Sequence, residues 1–218
     1  IESMAHLTCV GHNEHEIYSV LESLHERNIE NVLALRGDPP QGEEKFIKTK
    51  GGFEYGNELV SFIKKNFSFC IGAACYPEGH IECKDLDKDI ENLKRKVDSG
   101  VDFLVTQLFF DNQNYFKFLD RVQAAKINIP IIPGIMPILN LKQMQRFIRM
   151  CGANLTPSLL SKFKGVESDN EKVREIGISH AIEQCRELLK YKVPGIHFYT
   201  LNRSKATLNI LDALRDFK

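Results

Sequence analysis

Short apolar, β-prone runs recur at residues 5–10, 31–35, 69–74, 103–107, 130–132 and 196–199. Each is followed by a stretch whose apolar residues return every three or four positions, the spacing of a helix with one buried face. The first such stretch carries Ile17, Val20, Leu21 and Leu24 on one side and is predicted to run to about Asn28. Asn13, with Glu16 three residues later, predicts a capping box at its start. Another has Leu86, Ile90, Leu93 and Val97 as its apolar stripe, displays Lys94, Arg95 and Lys96, and stops at Ser99-Gly100. Further helices are expected over 112–125, 141–150, 170–191 and 204–217, with a short one inside 151–170.

Strands that alternate with helices demand a parallel sheet, either open and doubly wound or closed as a (β/α)8 TIM barrel. An open nucleotide-binding sheet would carry a glycine-rich phosphate turn after its first strand, and neither GxGxxG nor GxxxxGK[ST] occurs. Polar residues instead mark the ends of several strands: Arg36 and Asp38, Glu78 and His80, Gln107, Asn202 and Arg203. Barrels place their chemistry there. The expectation is an α/β fold, a single (β/α)8 barrel domain over residues 1–218 with six of its eight βα units present. The first two units, roughly 60 residues at ~30 per unit, would lie upstream of Ile1.

Composition narrows the partners. Lys+Arg and Asp+Glu both number 29, so the formal net charge is zero; no field draws the protein to nucleic acid or an acidic membrane. No apolar run reaches the roughly 18 residues of a membrane helix, and the opening Ile1–His6 stretch lacks a signal-like core. A cytoplasmic protein is expected. The six cysteines form no CxxC pair and most sit in apolar runs, which argues against a disulfide framework or zinc site.

The candidate chemistry lies at the strand ends. In LALRGDPP, residues 33–40, Arg36 can fork onto a phosphate, Gly37 permits close backbone approach, and Asp38 can hold a ligand's polar edge; an internal Arg–Asp ion pair accounts for the triplet equally well. AACYPEGH, residues 73–80, offers Tyr76 for stacking and His80 as a donor, or simply a proline-shaped loop. Asp89, Asn92, Arg95 and Lys96 share a helix and read as a solvated face. Gln107 puts an amide into the apolar VTQLFFD and so needs a partner, either a ligand edge or a neighbouring strand's side chain. GIHFYTLNR brings Tyr199 and Arg203 to a strand end, with His197 read as a packed core residue. His12, Glu14, His15 and Glu16 have metal-like spacing, but the two glutamates suit a helix's first turn and no metal is assigned. No nucleophile elbow or activated cysteine is evident.

Taken in order, AHLTC, LALRGDPP, AACYPEGH, NLKRKVDSG, VTQLFFD, IIPGIMP and HFYTLNR closely resemble the methylenetetrahydrofolate reductases across the whole chain. The resemblance implies a flavin-bearing barrel that passes hydride from NAD(P)H through FAD to methylenetetrahydrofolate by a ping-pong route, an activity of one-carbon metabolism. By it, His6, Arg36, Gly37, Asp38, Tyr55, Gly56, Ala74, Tyr76, His80, Asp89, Asn92, Arg95 and Lys96 would line the FAD site. Gln107, Gln143, Phe147, Tyr199 and Arg203 would belong to the face where folate and nicotinamide alternate, with Asp38 and Gln107 catalytic. The family's general acid is a glutamate on the first barrel strand, which would lie upstream of Ile1, and Glu78 is not promoted to replace it. A fragment with no such strand is expected to lack reductase activity. The resemblance further implies a short bacterial-type enzyme, with a homo-oligomer or an electron-transfer partner subunit both open. The alternative is a flavin-binding barrel subunit, inactive alone and fed electrons by a partner protein. A phosphate-binding lyase, with Arg36 and Lys96 holding substrate, is a third reading.

Overall fold

The computed structural model describes every residue except Pro40, Gln41, Glu44, Asp216 and Lys218. Part of the expected Pro39-Pro40 exit and the end of the last helix therefore lie outside the described residues. Strands and helices alternate: β1 (Met4–Thr8), α1 (Glu14–Glu26), β2 (Asn31–Leu35), α2 (Gly56–Asn66), β3 (Cys70–Cys75), α3 (Leu86–Asp98), β4 (Phe103–Thr106), α4 (Asn112–Ala124), β5 (Ile131–Ile132), β6 (Gly134–Ile135), α5 (Leu141–Cys151), α6 (Pro157–Lys162), α7 (Asn170–Lys190), β7 (His197–Phe198) and α8 (Ser204–Leu214). Strands β1 to β5 follow chain order in one sheet, and β6 pairs with β7 in a second. The pairings β1–β2, β2–β3 and β6–β7 are parallel, so the α/β class with parallel strands is what the alternation predicts. No described helix is long and apolar enough to cross a membrane.

The chain forms two compact units. The first comprises Ile1–Ala74, Ile90–Leu104 and Ile127–Pro130. In it, helix α1 starts on the expected capping box, with Asn13 Oδ1 accepting from Glu16 N–H at 3.0 Å and Glu16 Oε2 from Asn13 N–H at 2.8 Å. Its buried face is Ile17 and Leu21, whereas Val20 is exposed. Val20 sits one position off the inner stripe, so the expected four-residue face was too wide. The strands supply the rest of the core: Val32, Ala34, Ile71, Ala73 and Leu104 are buried, with Leu59, Val60 and Ile63 of α2 beside them. Such strands, apolar at nearly every position, belong to parallel sheets covered on both faces.

The second unit comprises Cys75–Asp89, Val105–Lys126 and Ile131–Lys218. Its core joins Leu108 and Phe110 to Met136, Ile138, Met144, Leu159, Phe163 and Val173, with Phe147 and Tyr199 packed against them. Helix α7 approaches this core through small buried residues, Gly177 and Ala181, before Cys185 and Leu188. A Cβ on Gly177 would stand 1.8 Å from the Ile138 carbonyl oxygen, so only glycine lets the helix lie there. Strand β6 escaped the sequence reading because the Pro133-Gly134 pair interrupts the apolar run; its Gly134 N–H donates to Thr106 Oγ1 at 2.8 Å. The six cysteines are free thiols. Burial pushes Cys9 up to about 11 and Cys185 up to about 12, far from thiolate chemistry.

Candidate functional site

In the first unit the polar residues gather at the carboxyl ends of β2 and β3. Gly37 turns the chain there with φ +88°, and a Cβ would come within 2.6 Å of Val10 Cγ1; both the left-handed backbone and the close approach require glycine. Arg36 is held in place on both sides. Its carbonyl accepts from Val10 N–H at 3.1 Å, and its guanidinium lies over the Phe46 ring, 5.1 Å from the centroid. Gly56 opens α2 beside this turn, its Cβ position 3.7 Å from the Arg36 nitrogen. Tyr55, the residue before it, is exposed, and its hydroxyl is held above its ordinary range by hydrogen bonding to Glu54. Asp38 is exposed, and His6 is an exposed residue of β1 in register with Leu33.

Lys96 departs from the solvated-face reading. It reaches from α3 to donate to the Ala74 carbonyl at 2.9 Å, which places its charge at the end of β3. Arg95 donates to Asn92 Oδ1 on the same helix, while Lys94 turns aside to pair with Asp98 at 2.9 Å. Of three successive cations, one is therefore committed to the strand end.

In the second unit the Tyr76–His80 loop is a built structure. The Tyr76 and His80 rings meet edge to face at 4.6 Å between centroids. His80 N–H donates to Asp89 Oδ2 at 3.3 Å, and His80 Nδ1 accepts from Glu82 N–H at 3.1 Å, which leaves Nε2 as the protonated nitrogen of the neutral ring. Pro77 carbonyl accepts from Arg121 at 3.0 Å. Glu78 is the loop's anchor: Oε2 accepts from Asn154 N–H at 2.7 Å and Oε1 from the Asn114 side-chain amide. This clamp was not legible in the sequence, because Asn114 and Asn154 are 36 and 76 residues away.

Burial raises the Glu78 carboxyl above its ordinary value, opposed by the Asn154 and Asn114 donors. A raised native value favours the protonated form, so the stability contribution is present below the ordinary carboxylate range and is lost as pH rises through the raised value. The melting temperature of the wild type relative to Glu78→Gln should therefore fall as pH rises from the ordinary carboxylate range through the raised value, and then level off. A difference that grows with pH would show the ionised form to be the favoured one.

The remaining candidates converge on one cleft. Gln143 and Phe147 of α5, Tyr199 after β7, and Arg203 at the start of α8 line a space of about 410 Å³ that includes its solvent-open mouth. Buried Met136, Ile138, Met144 and Thr207 line it together with the half-buried polar residues Asn140 and Thr200. Asn140 caps α5 by accepting from Gln143 N–H at 3.0 Å, which sets the first turn that carries Gln143. Tyr199 donates its hydroxyl to the Thr106 carbonyl at 2.8 Å, burial holds that hydroxyl protonated well above its ordinary range, and its ring meets His197 edge on at 4.8 Å. Half-buried His197 thus packs on Tyr199. Gln107 is not on the cleft wall among the described residues. Its Oε1 accepts from Leu108 N–H, the backbone of the next residue, at 2.9 Å. Of the residues with metal-like spacing, Glu16 closes the capping box of α1 and His12 Nδ1 lies 2.9 Å from the Val10 carbonyl.

The lining of the cleft thus offers an aromatic ring that can stack, side-chain amides that can pair, and an arginine that can fork onto an anion. A family model described as methylenetetrahydrofolate reductase matches residues 1–215. Methylenetetrahydrofolate reductase 1 of Schizosaccharomyces pombe is 39% identical over 98% of this chain and 36% of its own length. Methylenetetrahydrofolate reductase (NADH) 1 of Arabidopsis thaliana is 38% identical over 97% of this chain and 38% of its own. The 5,10-methylenetetrahydrofolate reductase of Escherichia coli K12 is 36% identical, over 98% of this chain and 70% of its own. The chain thus spans little more than a third of its fungal and plant relatives. A solved Clostridium thermocellum protein, described as binding two copies of 5-methyl-5,6,7,8-tetrahydrofolic acid, shares the fold at TM-score 0.55 and 14% identity, covering 96% of this chain and 92% of that one.

Proposed function

Because the chain belongs to the methylenetetrahydrofolate reductase family, we propose that it carries the barrel of an enzyme reducing 5,10-methylenetetrahydrofolate to 5-methyltetrahydrofolate with NAD(P)H. The observation that carries this reading is the cleft that gathers Gln143, Phe147, Tyr199 and Arg203 from two separate stretches of chain. FAD, when bound, supplies the hydride relay between nicotinamide and folate, which take turns in ping-pong order.

Each unit by itself holds donors of the kind that cofactor needs. Arg36 and Lys96 stand at strand ends with their side chains already oriented, by the Phe46 ring and the Ala74 carbonyl, and would hold the phosphates. Gly37 lets the chain turn tightly against Val10 directly after Arg36. In the second unit, His80, with Nε2 carrying the proton, would be a donor for ribose or phosphate, and Tyr76 is held by the same loop. Asp38, exposed at the turn after Arg36, would tune the flavin from the first unit. In the cleft, Phe147 offers a stacking face, Gln143 an amide for a heterocycle edge, and Arg203 a fork for a carboxylate.

An absorbance spectrum of the purified full-length protein, followed anaerobically by NADH and then methylenetetrahydrofolate, tests each half-reaction. Flavin bands that bleach with NADH and return with the folate are the expected result. Bleaching by dithionite alone would replace this reading with that of a subunit fed electrons by a partner. A colourless protein that takes up no FAD would overturn the cofactor assignment.

A further inference from the structure

Thr207 is a polar residue of the cleft that the motifs do not single out. Only 9% of its surface is exposed, and its Oγ1 has no hydrogen-bond partner in the structure, although the residue lines the cleft. A buried hydroxyl with nothing to bond is unfavourable, and a threonine on a helix can usually relieve it by turning to the carbonyl four residues back. Here that carbonyl belongs to Arg203, and no such bond is made. Ala206 and Ile210 are buried on the same helix, so a valine would fill the position with the same shape and none of the cost.

The position of the hydroxyl relative to Arg203 indicates what it meets. The two residues are four apart on α8, hence on one face with Thr207 one turn, about 6 Å, further along. Arg203 is exposed at the mouth, and Thr207 is buried behind it. A ligand whose carboxylate pairs with Arg203 would carry past Thr207 the linkage that joins its tail to its aromatic body. In a folate that linkage is an amide, and its carbonyl oxygen is an acceptor for a hydroxyl proton.

We propose that Thr207 is a substrate-contact residue whose hydroxyl donates to the amide carbonyl between the aromatic body and the carboxylate tail of a folate. The inference rests on the cleft being the folate site. Thr207→Val removes the hydroxyl and keeps the shape; one neutral hydrogen bond corresponds to about a tenfold change in affinity. The dissociation constant for 5-methyltetrahydrofolate should rise about tenfold, the rate of flavin bleaching by NADH should not change, and the melting temperature should hold or increase. Thr207→Ser should restore folate affinity. Unchanged folate affinity in Thr207→Val, or an equal loss toward folate and NADH, would overturn the assignment. A wild type that takes up FAD but binds no 5-methyltetrahydrofolate would instead remove the folate reading of the cleft, and this role with it.

Discussion

Gly177→Ala is expected to destabilise the second unit by on the order of 4 kcal/mol and to abolish ligand binding in the cleft. The added Cβ would lie 1.8 Å from the Ile138 carbonyl oxygen, 2.6 Å from its carbon and 2.9 Å from its Cβ. The obstacle is backbone, which cannot swing aside as a side-chain end can. Alanine's better helix propensity returns only about 1 kcal/mol. Ile138 lines the cleft, so moving α7 outward would deform the site as well as the core. Urea unfolding followed by circular dichroism reads the change, with Ser179→Ala on the same helix as a control expected within about 0.5 kcal/mol of wild type. Equal midpoints for the two variants would show that the helix does not need its close approach.

Lys96→Met is expected to weaken FAD affinity by about 10- to 100-fold, the range for losing one hydrogen bond from a charged donor. Methionine keeps much of the length and the apolar stem of the side chain and removes the ammonium. Within the protein the substitution takes away the hydrogen bond to the Ala74 carbonyl among the contacts of a part-buried side chain, so the melting temperature is read alongside to separate folding from binding. Lys94→Met, which removes a cation engaged with Asp98 on the same helix, serves as the comparison and should leave the flavin in place. Fluorescence titration of the apoprotein with FAD separates the two. The wild-type affinity should also fall with salt and the Lys96→Met affinity less so, because the variant has one fewer charge to screen. Equal affinities for wild type and Lys96→Met would remove this lysine from the phosphate-binding set.

Both expectations depend on contacts the residue pattern only half reveals. Gly177, Ala181 and Cys185 stand four apart, a stripe of small residues that signals close packing, but nothing in it names Ile138 as the neighbour. Likewise Lys94, Arg95 and Lys96 are indistinguishable as a basic run, and only their rotation about α3 sends Lys96 to the strand end and Lys94 to Asp98. The Glu78 clamp and the Thr207 hydroxyl were illegible for the same reason, since both acquire meaning from partners or walls far along the chain.

The sequence by itself determined the order of strands and helices, the capping box at Asn13, and the strand ends at which Arg36, Tyr76, His80, Tyr199 and Arg203 stand. These are local properties, set by apolar period, turn residues and caps, and the motifs they frame suffice to indicate the family. Tertiary structure alone decided that β6 forms across a Pro-Gly break by pairing with β7, that Gln107 turns its oxygen back to its own chain, and that Gln143, Phe147, Tyr199 and Arg203 share one cleft. Periodicity tells which face of an element is buried. What that face is buried against depends on contacts between segments tens of residues apart, and those exist only once the chain has closed on itself.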